Sequence, residues 1–134
     1  MELQVVRKNL LAQHENLRTL MTAVEAALDG GDRASVTKAV KALHDACQAH
    51  NAAEEATLVP ILRDIDAWGP ERVKQLLDEH TEEHSVLLKK IDPSASIDEL
   101  RQAIRELRGH MAHEEATNLA EGLLRDDVVN VDAD

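Results

Sequence analysis

The sequence predicts an all-α protein that folds as an up-down-up-down four-helix bundle. Strong helix formers such as Ala, Leu, Glu, Lys and Arg dominate the composition. The chain has no Tyr or Phe and a single Trp, whereas strands are normally rich in aromatic residues. Helix-breaking residues divide the chain into four long segments with short connections, as in a bundle. At 134 residues, the chain is long enough for one domain with a core of its own.

Glycine and aspartate bound the first two helices. Helix one is predicted from about Glu2 to Leu28, because Gly30-Gly31 follows it. Asp32 has the short acceptor side chain of a helix N-cap and begins helix two. That helix is predicted to reach about Leu62. Pro60 is expected to disturb its last turn, because proline lacks a backbone N–H donor.

A loop at residues 66–69 separates helix two from helix three. Pro70 suits the first position of a helix, where an N–H would have no partner in any case. Helix three is predicted to end near Ile91. Its inner face is defined by core positions at alternating steps of three and four. This series is Val73, Leu77, His80, His84, Leu87 and Ile91.

A turn at residues 92–94 precedes helix four. Ser96 and Glu99 have the spacing of a capping box, in which each side chain accepts from the backbone N–H of the other. Helix four is predicted to end near Arg125. Residues 1–125 would then form the domain, and the acidic tail at residues 126–134 is expected to fray.

One eight-residue pattern occurs twice. Residues 50–57 and residues 110–117 both have the pattern HxxxEEAT. The two copies fall in helices two and four. They predict that one helical pair repeats the other about a pseudo-twofold axis.

Charge and hydropathy exclude several classes of function. The net charge of −11 argues against nucleic acid, which needs a basic surface, and gives no reason to expect an anionic membrane as partner. No apolar run approaches the length of a transmembrane helix. The first residues lack the features of a signal peptide, and one cysteine makes no internal disulfide. We therefore expect a cytoplasmic protein.

Metal-binding residue types occupy core positions in all four helices. A buried polar side chain costs free energy unless it has a partner. Three pairs are spaced i, i+4, which places both side chains on one helix face. Imidazole and carboxylate together suit iron, zinc or manganese. The candidate metal ligands are His14, His50, Glu54, His80, His84, His110 and Glu114.

This donor set is too large for one ion and suits two. Two octahedral ions offer about twelve coordination positions. Two bridging carboxylates, the histidines and a bridging oxo or hydroxo group leave about one position open. An open position on a metal centre accepts a small exogenous ligand.

These residues resemble hemerythrin and the hemerythrin-like HHE cation-binding domains, which are non-haem di-iron four-helix bundles. The resemblance is carried by residues 50–60, an HxxxE followed by an apolar-Pro-apolar ending, and by the HxxxH of residues 80–84. It implies a di-iron centre with an oxo or hydroxo bridge. It also implies terminal ligands at His14, His50, His80, His84 and His110, and bridges at Glu54 and Glu114.

Two features depart from that family. Its oxygen carriers place the last carboxylate five residues after its histidine, which here is Glu115. Many bacterial members place it four residues after, which here is Glu114, and the heptad phase and the internal repeat favour this choice. Family members also shield the centre with aromatic rings. Here the expected lining is aliphatic: Leu17, Met21, Leu87 and Met111.

Three functions are compatible with this reading. The first is a protein that binds O2 or a related ligand, NO or peroxide, at an open iron position, in oxygen, redox or iron handling or in sensing. Sensing would require a separate redox or signalling partner. The second is a di-iron oxidoreductase, a peroxidase, oxidase or NO reductase, but an aliphatic lining provides no proton donor. The third is a structural bundle with zinc or no metal, although structural zinc sites use four ligands and are often rich in Cys. The first is favoured, so metal and O2 binding are expected rather than dedicated catalysis.

Several other polar residues are predicted to have no part in metal binding. His44 and His113 fall off the inner faces and are predicted at the surface. Cys47 is predicted to be a small buried hydrophobe. Glu82 and Glu83 are predicted to be solvated, unless one of them orients an imidazole.

Overall fold

The computed structural model describes residues 2–124, which form four helical rods. A π-helical turn, Glu83–Leu87, joins two of the helices into one continuous third rod. The predicted all-α four-helix bundle is confirmed, and the described part of the chain contains no strand. The predicted tail at residues 126–134 lies outside the described residues. The helices are α1 (Leu3–Gly30), α2 (Arg33–Ile65), α3 (Gly69–Glu82), α4 (Leu88–Lys90) and α5 (Ile97–Ala116).

The caps predicted at the end of α1 and at the starts of α2 and α5 all form. Gly31 ends α1 in the left-handed conformation, with φ 72°, and its N–H donates to the Ala27 carbonyl. The Asp32 carboxylate accepts from the N–H of Ala34 and begins α2. At the start of α5, the N–H of Glu99 donates to Ser96 Oγ over 3.1 Å, and the N–H of Ser96 donates to Glu99 Oε1 over 3.2 Å.

The connection between α2 and α3 depends on a close backbone approach. Helix α2 continues past Pro60 to Ile65, so the proline does not end it. The chain then turns back so tightly that a Cβ on Gly69 would lie 2.1 Å from the carbonyl oxygen of Arg63. Only glycine leaves room for this turn.

The third rod has a different inner face from the predicted one. Leu76 is fully buried and Leu77 is 38% exposed, whereas the sequence pattern placed Leu77 inside. Glu83 is buried and His84 is exposed, which again reverses the prediction. At these two positions the residue that faces the core is therefore the one before the predicted residue. His80, Leu87 and Ile91 remain inside as predicted.

Helix α5 ends at Ala116 and not near Arg125. Thr117 has φ −115° and ψ −90°, outside the helical region. The turn that follows buries Asn118 and Leu119, and Arg7 Nε donates to the carbonyl of Leu119 over 2.8 Å. Leu119 packs in one apolar cluster with Val6 and Leu10 of α1, and this burial favours the observed turn.

A polar layer divides the core into two apolar clusters. The first cluster joins the second half of α1 to the first half of α2, as expected for antiparallel helices, and it includes Leu17, Met21, Val40, Leu43, Ile104 and Leu107. The second cluster contains Val6, Leu10, Leu58, Leu62, Leu76, Leu119 and Leu124. No helix among residues 2–124 combines the length and apolar character that crossing a membrane requires.

Candidate metal centre

The polar layer lies midway along the bundle and brings imidazole and carboxylate groups together. His14 and Glu54 are fully buried, and His50 and His80 are 7% and 5% exposed. Glu114 completes the group from α5, with a side chain that is 12% exposed. Helices α1, α2, α3 and α5 thus each contribute to one buried cluster.

The Nε2 atoms of the three histidines face the carboxylates. His14 Nε2 lies 2.9 Å from Glu114 Oε1, and His50 Nε2 lies 2.9 Å from Glu54 Oε2. His80 Nε2 lies 2.9 Å from Glu54 Oε1 and 3.7 Å from Glu114 Oε2. One possible ligand atom from each of His14, His50, Glu54 and Glu114 lies within 4.8 Å of the others, a spacing at which they can bind a common ion.

The Nδ1 atoms of the same histidines are held from outside the cluster. His14 Nδ1 lies 2.8 Å from Glu115 Oε2, and His80 Nδ1 lies 2.8 Å from Glu55 Oε1. A carboxylate only accepts, so each outer contact needs a proton on Nδ1, and each inner contact needs a second proton on Nε2 unless a metal ion takes its place. His50 Nδ1 lies 2.7 Å from Gln13 Oε1. This is the arrangement of metal-binding histidines, which donate one N–H outward and keep the other nitrogen free for the metal.

One atom of the cluster has no hydrogen-bond partner. Glu54 Oε2 is fully buried, and although His50 Nε2 lies 2.9 Å away, the approach does not satisfy hydrogen-bond geometry. An unsatisfied carboxylate oxygen in a protein interior is costly. A cation bound among these donors would neutralise the oxygen, so the residues present fit a metal ion.

The electrostatics of the metal-free cluster are dominated by shared protons. Burial alone would lower the pKa of His50, but the neighbouring carboxylates of Glu114 and Glu54 outweigh it and raise the pKa to about 9. Burial is outweighed in the same way at His80, whose pKa rises to about 11. Burial raises the pKa of Glu54, whereas hydrogen bonds from the histidines lower that of Glu114 despite its burial. Protons therefore occupy the space between these donors when no metal is bound.

The other two predicted ligands, His84 and His110, lie in different places. His110 is half-buried and lines the cavity beside the cluster. His84 does not join the cluster: its side chain lies in an outer groove between α2 and the third rod, with Asn51 and Glu55. Of the two alternative carboxylates, Glu114 points into the cluster, and Glu115 points to the outer nitrogen of His14 and to Arg18.

Glu83 is a member of the site that sequence reasoning missed. It is 8% exposed and lines the same internal cavity as His110. The available signal was its position seven residues after Leu76, a heptad repeat that competes with the one through Leu77 and His84. The prediction that Glu83 is solvated is wrong, while Glu82 beside it is exposed as predicted.

The cavity next to the cluster has a volume of about 20 Å³, enough for one water-sized molecule. Its apolar wall contains the predicted Leu17 and Met111, together with Leu107 and Cys47. A surface cleft between the third rod and α5 shares Glu79, Glu83 and His110 with this cavity, so the cleft and the cavity are neighbours.

The residues that were predicted to have no part in metal binding lie mostly where they were expected. His113 is exposed, with Nε2 3.2 Å from Glu79 Oε1. His44 is half-buried, next to Asp45. Cys47 is 1% exposed, and its burial raises the pKa of the thiol to about 12, which confirms the prediction of a buried residue.

Comparison with known proteins gives one match. A family model described as "Hemerythrin HHE cation binding domain" matches residues 5–121. No curated protein and no solved structure matches the chain. The family match confirms the resemblance predicted from the helix-two and helix-three motifs.

Proposed function

Because the chain belongs to the hemerythrin HHE cation-binding domain family, we propose that it is a non-haem di-iron protein that takes up O2 or a related small ligand, NO or peroxide. The family and the buried His/Glu cluster support the binding of a metal ion. We propose, beyond this, that the metal is iron, that two ions are bound and that the small ligand is O2, NO or peroxide.

The observation that carries the proposal is the two-sided environment of the histidines. Each of His14, His50 and His80 has Nδ1 against an outer acceptor and Nε2 against the inner carboxylates. The outer contacts fix ring orientation and tautomer before a metal arrives. Hydrogen bonding alone does not require all three rings to converge in this way, and it leaves Glu54 Oε2 unsatisfied.

Iron is preferred to a closed structural zinc site because of the donor set. A structural zinc ion takes four ligands, commonly with several cysteines. The layer around this cavity contains more imidazole and carboxylate donors than one such ion uses, and the single cysteine is a protonated thiol in the cavity wall. Iron would supply an open coordination position and the redox chemistry of small-ligand binding.

The chain's own residues favour uptake of a small ligand over general acid–base catalysis. Leu17, Leu107 and Met111 form an apolar wall beside the cluster and limit the entry of water. The cleft between the third rod and α5 shares Glu83 and His110 with the cavity, and we propose it as the route of the ligand from the surface. A cytoplasmic location and a redox or signalling partner stay predictions.

Metal analysis and an absorption spectrum test this proposal. Protein produced in iron-replete cells and purified in air should contain two iron ions per chain and absorb in the near ultraviolet, as an oxo-bridged di-ferric centre does. The His50→Ala variant should lose iron, and His113→Ala, a surface control, should retain it. A colourless protein loaded with zinc, or iron retained equally by both variants, would contradict the proposal. Steady consumption of peroxide or NO would favour the oxidoreductase instead.

A further inference from the structure

Glu83 and His84 compete for one inner position on the third rod. The heptad that contains Leu76 places Glu83 seven residues later, and the heptad that contains Leu77 places His84 seven residues later. Leu76 is fully buried and Leu77 is 38% exposed, so the rod presents the first of these two series to the core. The inner series on this rod is Leu76, His80, Glu83, Leu87 and Ile91.

A π-helical turn fixes this register. It spans Glu83–Leu87, and the N–H of Leu88 donates to the carbonyl of Glu83, five residues earlier. The wider turn keeps Glu83 inside while Leu87 and Leu88, 3% and 1% exposed, both pack in the first apolar cluster. Turning His84 inward would require this packing to change. Single π turns inside α-helices are frequent at functional sites.

The surroundings of Glu83 are those of a carboxylate without an adequate counter-charge. It is 8% exposed, and Asn51 Nδ2 donates to its Oε2 over 3.5 Å, at the outer limit of a hydrogen bond. Burial and the nearby carboxylates of Glu54 and Glu114 raise its pKa, and His80 and His110 oppose this. Burying a carboxylate in such a place is unfavourable unless a cation pairs with it.

Besides His14, His50 and Glu114, the cavity is lined by His80, Glu83 and His110. Glu79 also lines it, but its Oε1 lies 3.2 Å from the exposed His113 Nε2. His84 faces the outer groove instead. We propose that Glu83, and not His84, is the second donor that the third rod supplies to the metal centre, where it binds the ion on the His80 and His110 side.

This inference rests on the proposed di-iron function and gives the centre an additional carboxylate in place of an imidazole. Carboxylate oxygen is a harder ligand than imidazole nitrogen. Glu83 and Glu114 line the cavity, and Glu54 lies in the adjoining His/Glu cluster. Three carboxylates at one site favour the binding of a multiply charged cation that pairs with them. Replacing Glu83 by its neutral isostere should therefore weaken binding of the second ion by at least about tenfold.

The test compares four proteins: the wild type, Glu83→Gln, His84→Ala and the matched control Glu82→Gln, whose target is an exposed neighbour of the same type. Each is freed of metal with a chelator, titrated with Fe2+ without oxygen, and desalted. Iron per chain is then measured, and the melting temperature of the metal-free form is recorded by circular dichroism.

We expect Glu83→Gln to fall from two retained iron ions to one, and the other two variants to retain two. Metal-free Glu83→Gln should melt no lower than the wild type, because the substitution removes a poorly paired buried charge. Loss of iron from His84→Ala, or full retention by Glu83→Gln, would overturn this inference alone. A wild-type chain that retains no iron would overturn the proposed function, and this inference with it.

Discussion

Nε2 of His14 lies 3.1 Å from Nε2 of His50 in the centre of the bundle. The Nδ1 atom of His14 faces Glu115, and that of His50 faces Gln13. When these outer contacts hold the one proton of each neutral ring, both Nε2 atoms carry lone pairs. Two lone pairs at this separation repel each other unless a cation lies between or beside them. The cation is a proton in the metal-free protein and, by our proposal, a metal ion in the loaded one.

Metal binding should therefore release protons. The pKa of His50 is raised to about 9 and that of His80 to about 11, so both rings are protonated at pH 7 in the metal-free chain. A metal ion binds only the deprotonated nitrogen. Calorimetric titration with Co2+ at pH 7, in two buffers of different ionisation enthalpy, should show at least about one proton released per chain. A heat of binding that is the same in both buffers would argue against this linkage.

The stability of the metal-free protein should fall as the pH rises above neutrality. The pKa values of His50 and His80 are raised on folding from 6.5 to about 9 and about 11. Their contribution is fully present below pH 6.5 and is lost as the pH rises through the folded values. The lowered pKa of Glu114 acts in the opposite direction, and its contribution is lost in acid.

Thermal melting of chelator-treated protein between pH 4 and pH 11 checks this expectation. The melting temperature should be highest in the middle of that range. The alkaline decline should be shallower in His80→Gln than in the surface control His113→Gln. An unchanged alkaline decline in His80→Gln would show that the cluster histidines do not set it.

The sequence predicted the bundle and most of the central cluster because the relevant signals are local. The caps at Asp32 and Ser96 depend on a few neighbouring residues, and the structure forms both. His14, His50 and Glu54 lie in uninterrupted apolar stripes, so their helix phase is unambiguous. The same reasoning holds for Glu114.

The phase of the third rod was ambiguous because the sequence contains two competing repeats. Leu76 and Leu77 are adjacent, as are Leu87 and Leu88, and either member of each pair satisfies an apolar stripe. Contacts with the other helices decide between them, and these are not local. The early end of α5 also depends on contacts that are distant in sequence, because Leu119 packs against residues near the start of the chain.

Glu115 should support metal affinity without binding the metal. It accepts from His14 Nδ1 at 2.8 Å and from Arg18 at 2.7 Å, so it holds both the ring and its tautomer. Loss of such a contact typically weakens metal binding about 10- to 100-fold. Glu115→Gln should show this loss in competition with a chelating dye. Glu15→Gln, which removes the other carboxylate that Arg18 contacts, should match the wild type.

Cys47 should be unreactive in the folded protein. It is 1% exposed, and its pKa of about 12 leaves roughly one thiol in ten thousand ionised at pH 8. A thiol-specific disulfide reagent should react slowly with native protein and at once after unfolding in urea. Equal rates in both states would show an accessible thiolate and revive a redox role for this residue.

Two glycine substitutions should change stability in opposite directions. A Cβ at Gly69 would lie 2.1 Å from the carbonyl oxygen of Arg63 and 2.6 Å from that of Leu62, and these backbone atoms cannot move without unwinding the end of α2. Gly69→Ala should therefore lower the free energy of unfolding by about 2 kcal/mol. Gly109 lies inside α5, where an added Cβ meets nothing within 4 Å. Gly109→Ala should raise the free energy of unfolding by about 0.5–1 kcal/mol, because alanine loses less backbone entropy in a helix.

Urea denaturation of the metal-free proteins measures both effects. The two midpoints should move to opposite sides of the wild type with little change in slope. Because the close approach at Gly69 aligns the third rod with α2, its loss should also weaken Fe2+ binding through His80, whereas Gly109→Ala should leave iron content unchanged. A Gly69→Ala variant as stable as the wild type would mean that the turn before α3 tolerates a side chain, and that the position of the third rod does not depend on this contact.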